Sequence, residues 1–227
     1  MRLTHIAVGL PRHVPHGERT VATGIFKQTA PGPVRVLSDR LEGDGQADLV
    51  HHGGTDKAVY AYAADHYPWW RTELGRDDLV AGHFGENLTV AGLDERKLCL
   101  GDQLAIGSAV FAVTQPRIPC FKLGLRFGDS SLPQRFAATW RCGAYLRVVR
   151  TGRIAADDAV ERVACGRHGL AIGALFHAYL HPNAPAAQTL LSRALDVPEL
   201  AAAWRVTLEQ RLHRRHLGHF PPHGDAP

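Results

Sequence analysis

The chain has 227 residues, 45% of them hydrophobic and 21% charged, the balance of an ordinary globular protein, which excludes a disordered or fibrous class. At roughly 150 residues per domain the length fits one large domain with a smaller appendage. The formal net charge is +4, but the cations are scattered and only four of them are lysines, so the clustered basic face of a nucleic-acid binder is not expected.

Taken in chain order, the apolar piece Ile6 to Leu10 is shorter than the roughly 7 to 15 residues of a signal-peptide core, and a cytoplasmic protein is expected. Up to about residue 160 the chain reads as short strands rich in β-branched and aromatic residues: Leu3 to Val8, Ala58 to Tyr62, Asn87 to Val90, Gln103 to Ile106, Ala109 to Thr114 and Ala144 to Val149. Gly, Pro and Asp bound them, and Ile106-Gly107-Ser108-Ala109 predicts a tight hairpin. A closed or nearly closed β-barrel over residues 1–160 follows. One short helix is predicted from an Asp65 cap through His66 to Glu73, stopped by Gly75.

Beyond Asp157 the texture turns to alanine and leucine at helical spacing. Helices are predicted over Asp157 to Ala164, Gly169 to Leu180, Ala184 to Ala194 and Pro198 to His216, giving a small helical subdomain over 161–217. Leu200, Trp204, Leu208, Arg211 and Leu212 form a stripe on the last helix that would dock on the barrel, on the other helices or on a second subunit, which leaves a homodimer open. Residues 218–227, rich in proline, are expected to be disordered. The longest stretch free of Lys, Arg, Asp and Glu, from His168 to Ser192, is interrupted by His177, His181, Pro182 and Pro185, so no membrane span is expected.

The chemistry is sought first among the cysteines. Cys99, Cys120, Cys142 and Cys165 are more than twenty residues apart with no C-x-x-C pair, so neither a disulfide framework nor a zinc knuckle is expected. Cys120 stands out by its neighbours. In Thr114-Gln-Pro-Arg-Ile-Pro-Cys-Phe-Lys-Leu123 a strand ends in a proline-stiffened turn that presents Arg117, Cys120 and Lys122, and flanking cations favour the thiolate that attacks electrophiles or binds a soft metal.

A second segment is His51-His-Gly-Gly-Thr-Asp-Lys57. Adjacent histidines on a strand point to opposite faces and make a poor zinc site, whereas the amides of Gly53 and Gly54 with Lys57 suit a phosphate. A third, Gly82-His-Phe-Gly-Glu-Asn-Leu88, offers Glu86 and Asn87 as partners for a ring with donors and acceptors, and Leu41-Glu-Gly-Asp-Gly-Gln46 reads as a turn. No Walker phosphate loop and no G-x-S-x-G elbow occur in the sequence.

In this order, Leu41-Glu-Gly-Asp44, His52-Gly-Gly-Thr-Asp-Lys57, Phe84-Gly-Glu-Asn-Leu88, Gly101-Asp102 and Gln115-Pro-Arg-Ile-Pro-Cys-Phe-Lys-Leu123 make the chain resemble the MOSC domain proteins, and most closely their YiiM-like branch with its C-terminal three-helix unit. The resemblance covers nearly the whole chain. It implies a mainly β, barrel-like domain that holds a molybdenum cofactor, a molybdenum pyranopterin dithiolene, through one cysteine, which here is Cys120. It further implies Arg117, Lys57, His52, His51, Gly53, Gly54 and Lys122 around the cofactor's phosphate, and Glu86 and Asn87 near the pterin or the metal. No pyridoxal phosphate is expected.

The implied reaction reduces N-hydroxylated compounds, such as hydroxylamino-purines and amidoximes, to amines or amidines. An electron-donor protein carrying flavin or an iron–sulfur centre would supply two electrons, and His52, His51 or Asp56 would supply a proton. An alternative on the same fold is a sulfur carrier that holds a persulfide on Cys120.

Overall fold

A computed structural model describes residues 1–47 and 53–216. The strands are β1 (Arg2–Val8), β2 (Arg12–His16), β3 (Arg19–Thr23), β4 (Gln28–Thr29), β5 (Val34–Val36), β6 (Val59–Ala63), β7 (Leu88–Ala91), β8 (Gln103–Ile106), β9 (Ala109–Pro116), β10 (Ala144–Arg150), β11 (Gly152–Ile154) and β12 (Val160–Ala164). The helices are α1 (Tyr67–Leu74), α2 (Phe121–Phe127), α3 (Leu132–Ala137), α4 (Ile172–Leu180), α5 (Ala187–Ala194) and α6 (Ala202–His216). Short 3-10 turns at Thr55–Lys57 and Ala64–His66 flank β6.

Eight strands form one sheet in the order β12-β8-β9-β10-β6-β7-β1-β4, antiparallel except where β6 runs parallel to β7. Every residue of β6 and β9 is buried, as expected of strands covered on both faces. On one side Tyr62, Trp70, Phe84 and Phe136 pack ring against ring, with Tyr62 and Phe84 centroids 4.9 Å apart. The β8–β9 hairpin turns at Gly107, whose φ of 53° is the left-handed value the turn requires, and Ile106 faces Ala109 across it.

The expected barrel is not formed. The sheet has edges at β12 and β4, and the start of β1, beside the β4 edge, meets the chain entering β12 at one isolated bridge, Arg2 with Ala159, where Leu3 N–H donates to Asp158 O, Asp157 N–H to Leu3 O and Val160 N–H to Met1 O. The ladder stops on one side because residues 156 and 157 turn, and beyond the bridge β12 pairs along its other edge with β8, from Val160 with Ile106 to Ala164 with Gln103. This pairing also corrects the helix predicted over Asp157 to Ala164: that segment is a turn and a strand, and cross-strand partners outweigh its alanine content. Asp65 is not the cap of α1 either. Its Oδ2 accepts the Gly92 N–H at 2.7 Å, while α1 starts at Tyr67 with Pro68 in its first turn and Gly75 (φ 61°) ends it as predicted.

The three C-terminal helices follow in the predicted order. Leu200, Trp204 and Leu208 are buried, the Trp204 ring lies 5.9 Å from that of Tyr179 in α4, and Arg211 sits over the same tyrosine. Ala201 N–H donates to Thr114 O of β9, so the stripe is covered from within the chain, by the helices and the sheet together. No helix among the described residues is long and apolar enough to cross a membrane. The tail predicted to be disordered lies outside the described residues.

Candidate functional site

Strand β9 delivers the central element of the site. It ends at Pro116, the chain runs through Arg117-Ile118-Pro119 without regular structure, and Cys120 occupies the N-cap position of α2 in extended conformation (φ −134°, ψ 172°). Its side chain makes no capping hydrogen bond, and Cys120 lines a cleft of about 710 Å³ that is partly open to solvent. One wall of the cleft comes from residues 23–27 and 44–47, its base includes Lys57, Tyr60 and Asn87, and the other wall runs from Arg117 to Lys122 with Tyr145.

Arg117 is the least ordinary group here. It is 5% exposed, its guanidinium lies over the rings of Phe136 (5.0 Å) and Tyr60 (5.6 Å), and its Nη1 is buried without a hydrogen-bond partner. Burial disfavours its charge, yet Tyr60, Tyr145 and Cys120 outweigh this and raise its pKa, so the cation persists. A buried, unpartnered N–H of a cation is a site prepared for an anion.

Among the described residues the cleft gathers four cations, Lys27, Lys57, Arg117 and Lys122, against the single carboxylate of Asp44. Asp44 pairs with Lys27 and also accepts the Gly9 N–H (2.8 Å) and Asn87 Nδ2 (2.9 Å). Neither Lys27 nor Asp44 stood out as a site residue in the sequence. The available signal was the rarity of lysine: three of the four in the chain, Lys27, Lys57 and Lys122, line this one cleft.

Other expected site residues lie elsewhere or are fully engaged. Asp56 does not line the cleft: its Oδ1 accepts Arg147 Nε and its Oδ2 accepts the Ala202 N–H at the start of α6, both at 2.7 Å. Glu86 is wholly buried behind the cleft wall, where it accepts from Tyr67 Oη, the N–H groups of Gly82 (2.8 Å) and Phe84 (3.1 Å), and Thr89 Oγ1 (3.0 Å). Burial pushes its pKa up against the pull of these donors. Asn87 reaches the cleft, but its Oδ1 accepts the Tyr60 N–H and its Nδ2 donates to Ala7 O and Asp44 Oδ2, so it braces the wall.

Gly54 N–H donates to Gln46 Oε1 at 2.7 Å, and neither Gly53 nor Gly54 lines the cleft. His51 and His52 lie outside the described residues. Of the four free cysteines only Cys120 lines the cleft; Cys142 is buried, its thiol pushed well up by desolvation, and burial also raises Cys99, which faces Asp102. Among the described residues no three His, Cys, Asp or Glu side chains gather where they could hold a metal ion.

A family model described as "MOSC domain" matches residues 48–161, half of the chain, and one described as "YiiM-like, 3-alpha helix domain" matches residues 172–215. The chain belongs to the MOSC domain family. It is 38% identical to YflK of Bacillus subtilis over 207 residues, 91% of this chain and 92% of that one. It is also 38% identical over 144 residues, 62% of this chain, to a protein of Gibberella moniliformis named "Reductase", of which the match spans only 26%. The crystal structure of YiiM from Geobacillus stearothermophilus superposes with a TM-score of 0.77 at 33% identity, covering 93% of this chain and 98% of that one. The MOSC match takes in Lys57, Arg117, Cys120 and Lys122, whereas Lys27 and Asp44 lie ahead of it.

Proposed function

We propose that this protein is a MOSC-type oxidoreductase that carries a molybdenum cofactor on Cys120 and reduces small N-hydroxylated compounds. The observation that carries the reading is the juxtaposition in one cleft of a lone thiol and a buried arginine with an unpartnered Nη1. The donor set fits the cofactor. A metal that brings its own dithiolene sulfurs asks the protein for few ligands, and one soft thiol in a cationic cleft meets that need. The cofactor's phosphate would be held by Arg117 together with Lys57 and Lys122. Membership of the family and the name of the Gibberella relative support a redox role.

When bound, the cofactor supplies the two-electron chemistry that the side chains lack. What the chain itself contributes is placement. The prolines on either side of Arg117 and Ile118 fix the path to Cys120, the Asn87–Asp44 bridge ties one wall to the base, and the apolar faces of Phe84, Ile25 and Ile118 limit water around the reacting group. Electrons would come from a flavin or iron–sulfur protein.

The test is metal analysis and activity of protein made in cells able to build the cofactor. Stoichiometric molybdenum and reduction of a hydroxylamino-purine or an amidoxime are expected, with both lost in Cys120→Ala. Normal molybdenum in that variant overturns the reading. A labile sulfur adduct on Cys120 without molybdenum would support the sulfur-carrier alternative instead.

A further inference from the structure

The lysines of this chain are not distributed like its arginines. Arginine is by far the commoner cation, yet three of the four lysines face one cleft. Either residue supplies positive charge. Lysine adds an ammonium that can release its proton once it is desolvated, which a guanidinium does not do.

Of the three, Lys27 has the setting of an acid. Its side chain is 8% exposed and bonded to Asp44, itself 3% exposed. Asp44 has two further donors, Gly9 N–H and Asn87 Nδ2, so the carboxylate stays in place whether the lysine is charged or neutral. Burial draws the pKa of Lys27 below the ordinary lysine value, and the charges of Asp44 and then Glu86 draw it only partly back.

The competing groups among the described residues are worse suited. The phenols of Tyr60 and Tyr145 are held protonated by burial, and Tyr60 Oη donates to Cys142 O. Arg117 keeps its proton. Asp56 is committed to Arg147 and to the N-terminus of α6.

We infer that Lys27, seated on Asp44, is a catalytic residue that gives a proton to the substrate nitrogen. The inference rests on the reductase reading. For a hydroxylamine R–NHOH, two electrons and two protons yield R–NH2 and water. The N–O bond breaks, the nitrogen gains an N–H bond to the proton from Lys27 Nζ, and the oxygen leaves as water with the second proton. The electrons come from the flavin or iron–sulfur donor protein. The neutral amine left beside Asp44 regains its proton from solvent through the open cleft.

The experiment compares the holoenzyme with Lys27→Arg, which keeps the charge, and with Lys27→Met/Asp44→Asn, which removes both buried charges together. In Lys27→Arg molybdenum content and melting temperature are expected to stay at the wild-type level while the reduction rate falls on the order of 10² to 10⁴-fold; the double variant, which leaves one of the two donors on Asp44 without an acceptor, keeps its molybdenum at a lower melting temperature and shows the same fall in rate. The wild-type rate falls as pH rises through the Lys27 titration, and that limb is absent in Lys27→Arg. An independent readout needs no cofactor: the Nζ resonance of Lys27 in nitrogen-15 NMR, identified by its loss in Lys27→Arg, titrates below the ordinary lysine range. A wild-type rate in Lys27→Arg overturns the inference. So does loss of molybdenum from that variant, which would make Lys27 a cofactor anchor, or an ordinary lysine titration. If wild-type protein carries no molybdenum and reduces no N-hydroxylated compound, the reductase reading itself fails; a failure confined to the variants touches Lys27 alone.

Discussion

Arg117 and Glu86 are both charged and almost inaccessible, at 5% and 0% exposure, and the fold treats them in opposite ways. Glu86 is surrounded by four donors, from Tyr67, Gly82, Phe84 and Thr89. Arg117 lies between aromatic rings with one nitrogen unpartnered. Burying a charge is unfavourable unless hydrogen bonds or an ion offset it. Where the protein completes the hydrogen-bond shell, as at Glu86, the charge is part of the scaffold; where one donor is left over, as at Nη1 of Arg117, there is a place for a ligand. Both residues stand in segments that read as functional, so burial and charge alone do not separate them. Completeness of the hydrogen-bond shell does.

Substitution breaks this contrast in the most direct way. Glu86→Ala leaves the N–H groups of Gly82 and Phe84 and the hydroxyls of Tyr67 and Thr89 without their acceptor, and should destabilise the fold by about 3 to 5 kcal/mol in denaturant unfolding. Arg117→Met removes a cation held by ring and charge contacts, with no buried acceptor bound at Nη1 to be orphaned, so its stability should change by less than about 1 kcal/mol while molybdenum is lost from protein made with the cofactor. Equal destabilisation by both would show that Arg117 is scaffold too. The Glu86→Ala effect is the largest expected here.

Asp56 extends the contrast with a smaller effect. It ties the Gly53–Lys57 segment to β10 through Arg147 and caps α6 at Ala202, so Asp56→Ala should lose about 1 to 2 kcal/mol, the range of a capping residue. Faster amide hydrogen exchange in the first turn of α6, with molybdenum content unchanged, is the expected signature. Loss of molybdenum with α6 exchange unaltered would return Asp56 to the cleft.

These residues also mark how far the sequence could be read. The strands β8 and β9, the turn at Gly107 and the loop to Cys120 were legible because their determinants are local: alternation, a left-handed glycine, two prolines around an arginine. Helices α4 to α6 showed through their leucine spacing. Strand β12 was misread because the Leu104 and Ile106 partners that make it a strand lie far back in the chain. The closure of the sheet was overestimated for the same reason. Glu86 and Asn87 looked like ligand contacts because polar residues between Phe84 and Leu88 invite that reading, and no local signal tells that the carboxylate turns inward onto Gly82 and Thr89. Lys27 carries no local signal because its partners, Asp44 and the Asn87 behind it, come from elsewhere in the sequence.

The smallest effect concerns the charge of Glu86 itself. Burial, partly opposed by the hydrogen bonds from Tyr67 and Gly82, leaves its folded pKa above the ordinary glutamate value. The folded protein therefore keeps a proton at a pH where the unfolded chain has lost it, and the contribution of this group to stability falls as pH rises from about 4.5 through the folded value. Glu86→Gln retains an oxygen for Gly82, Thr89 and Tyr67 but sets an amide against the Phe84 N–H, so it should be milder than alanine and should flatten the profile. Unfolding curves in urea across that acidic range measure the slope directly. A profile as steep in Glu86→Gln as in the wild type would mean that the four donors hold Glu86 ionised throughout. The carboxylate would then be a permanent buried anion, its shell fully met by the protein, and the opposite case to Arg117 in charge as well as in partners.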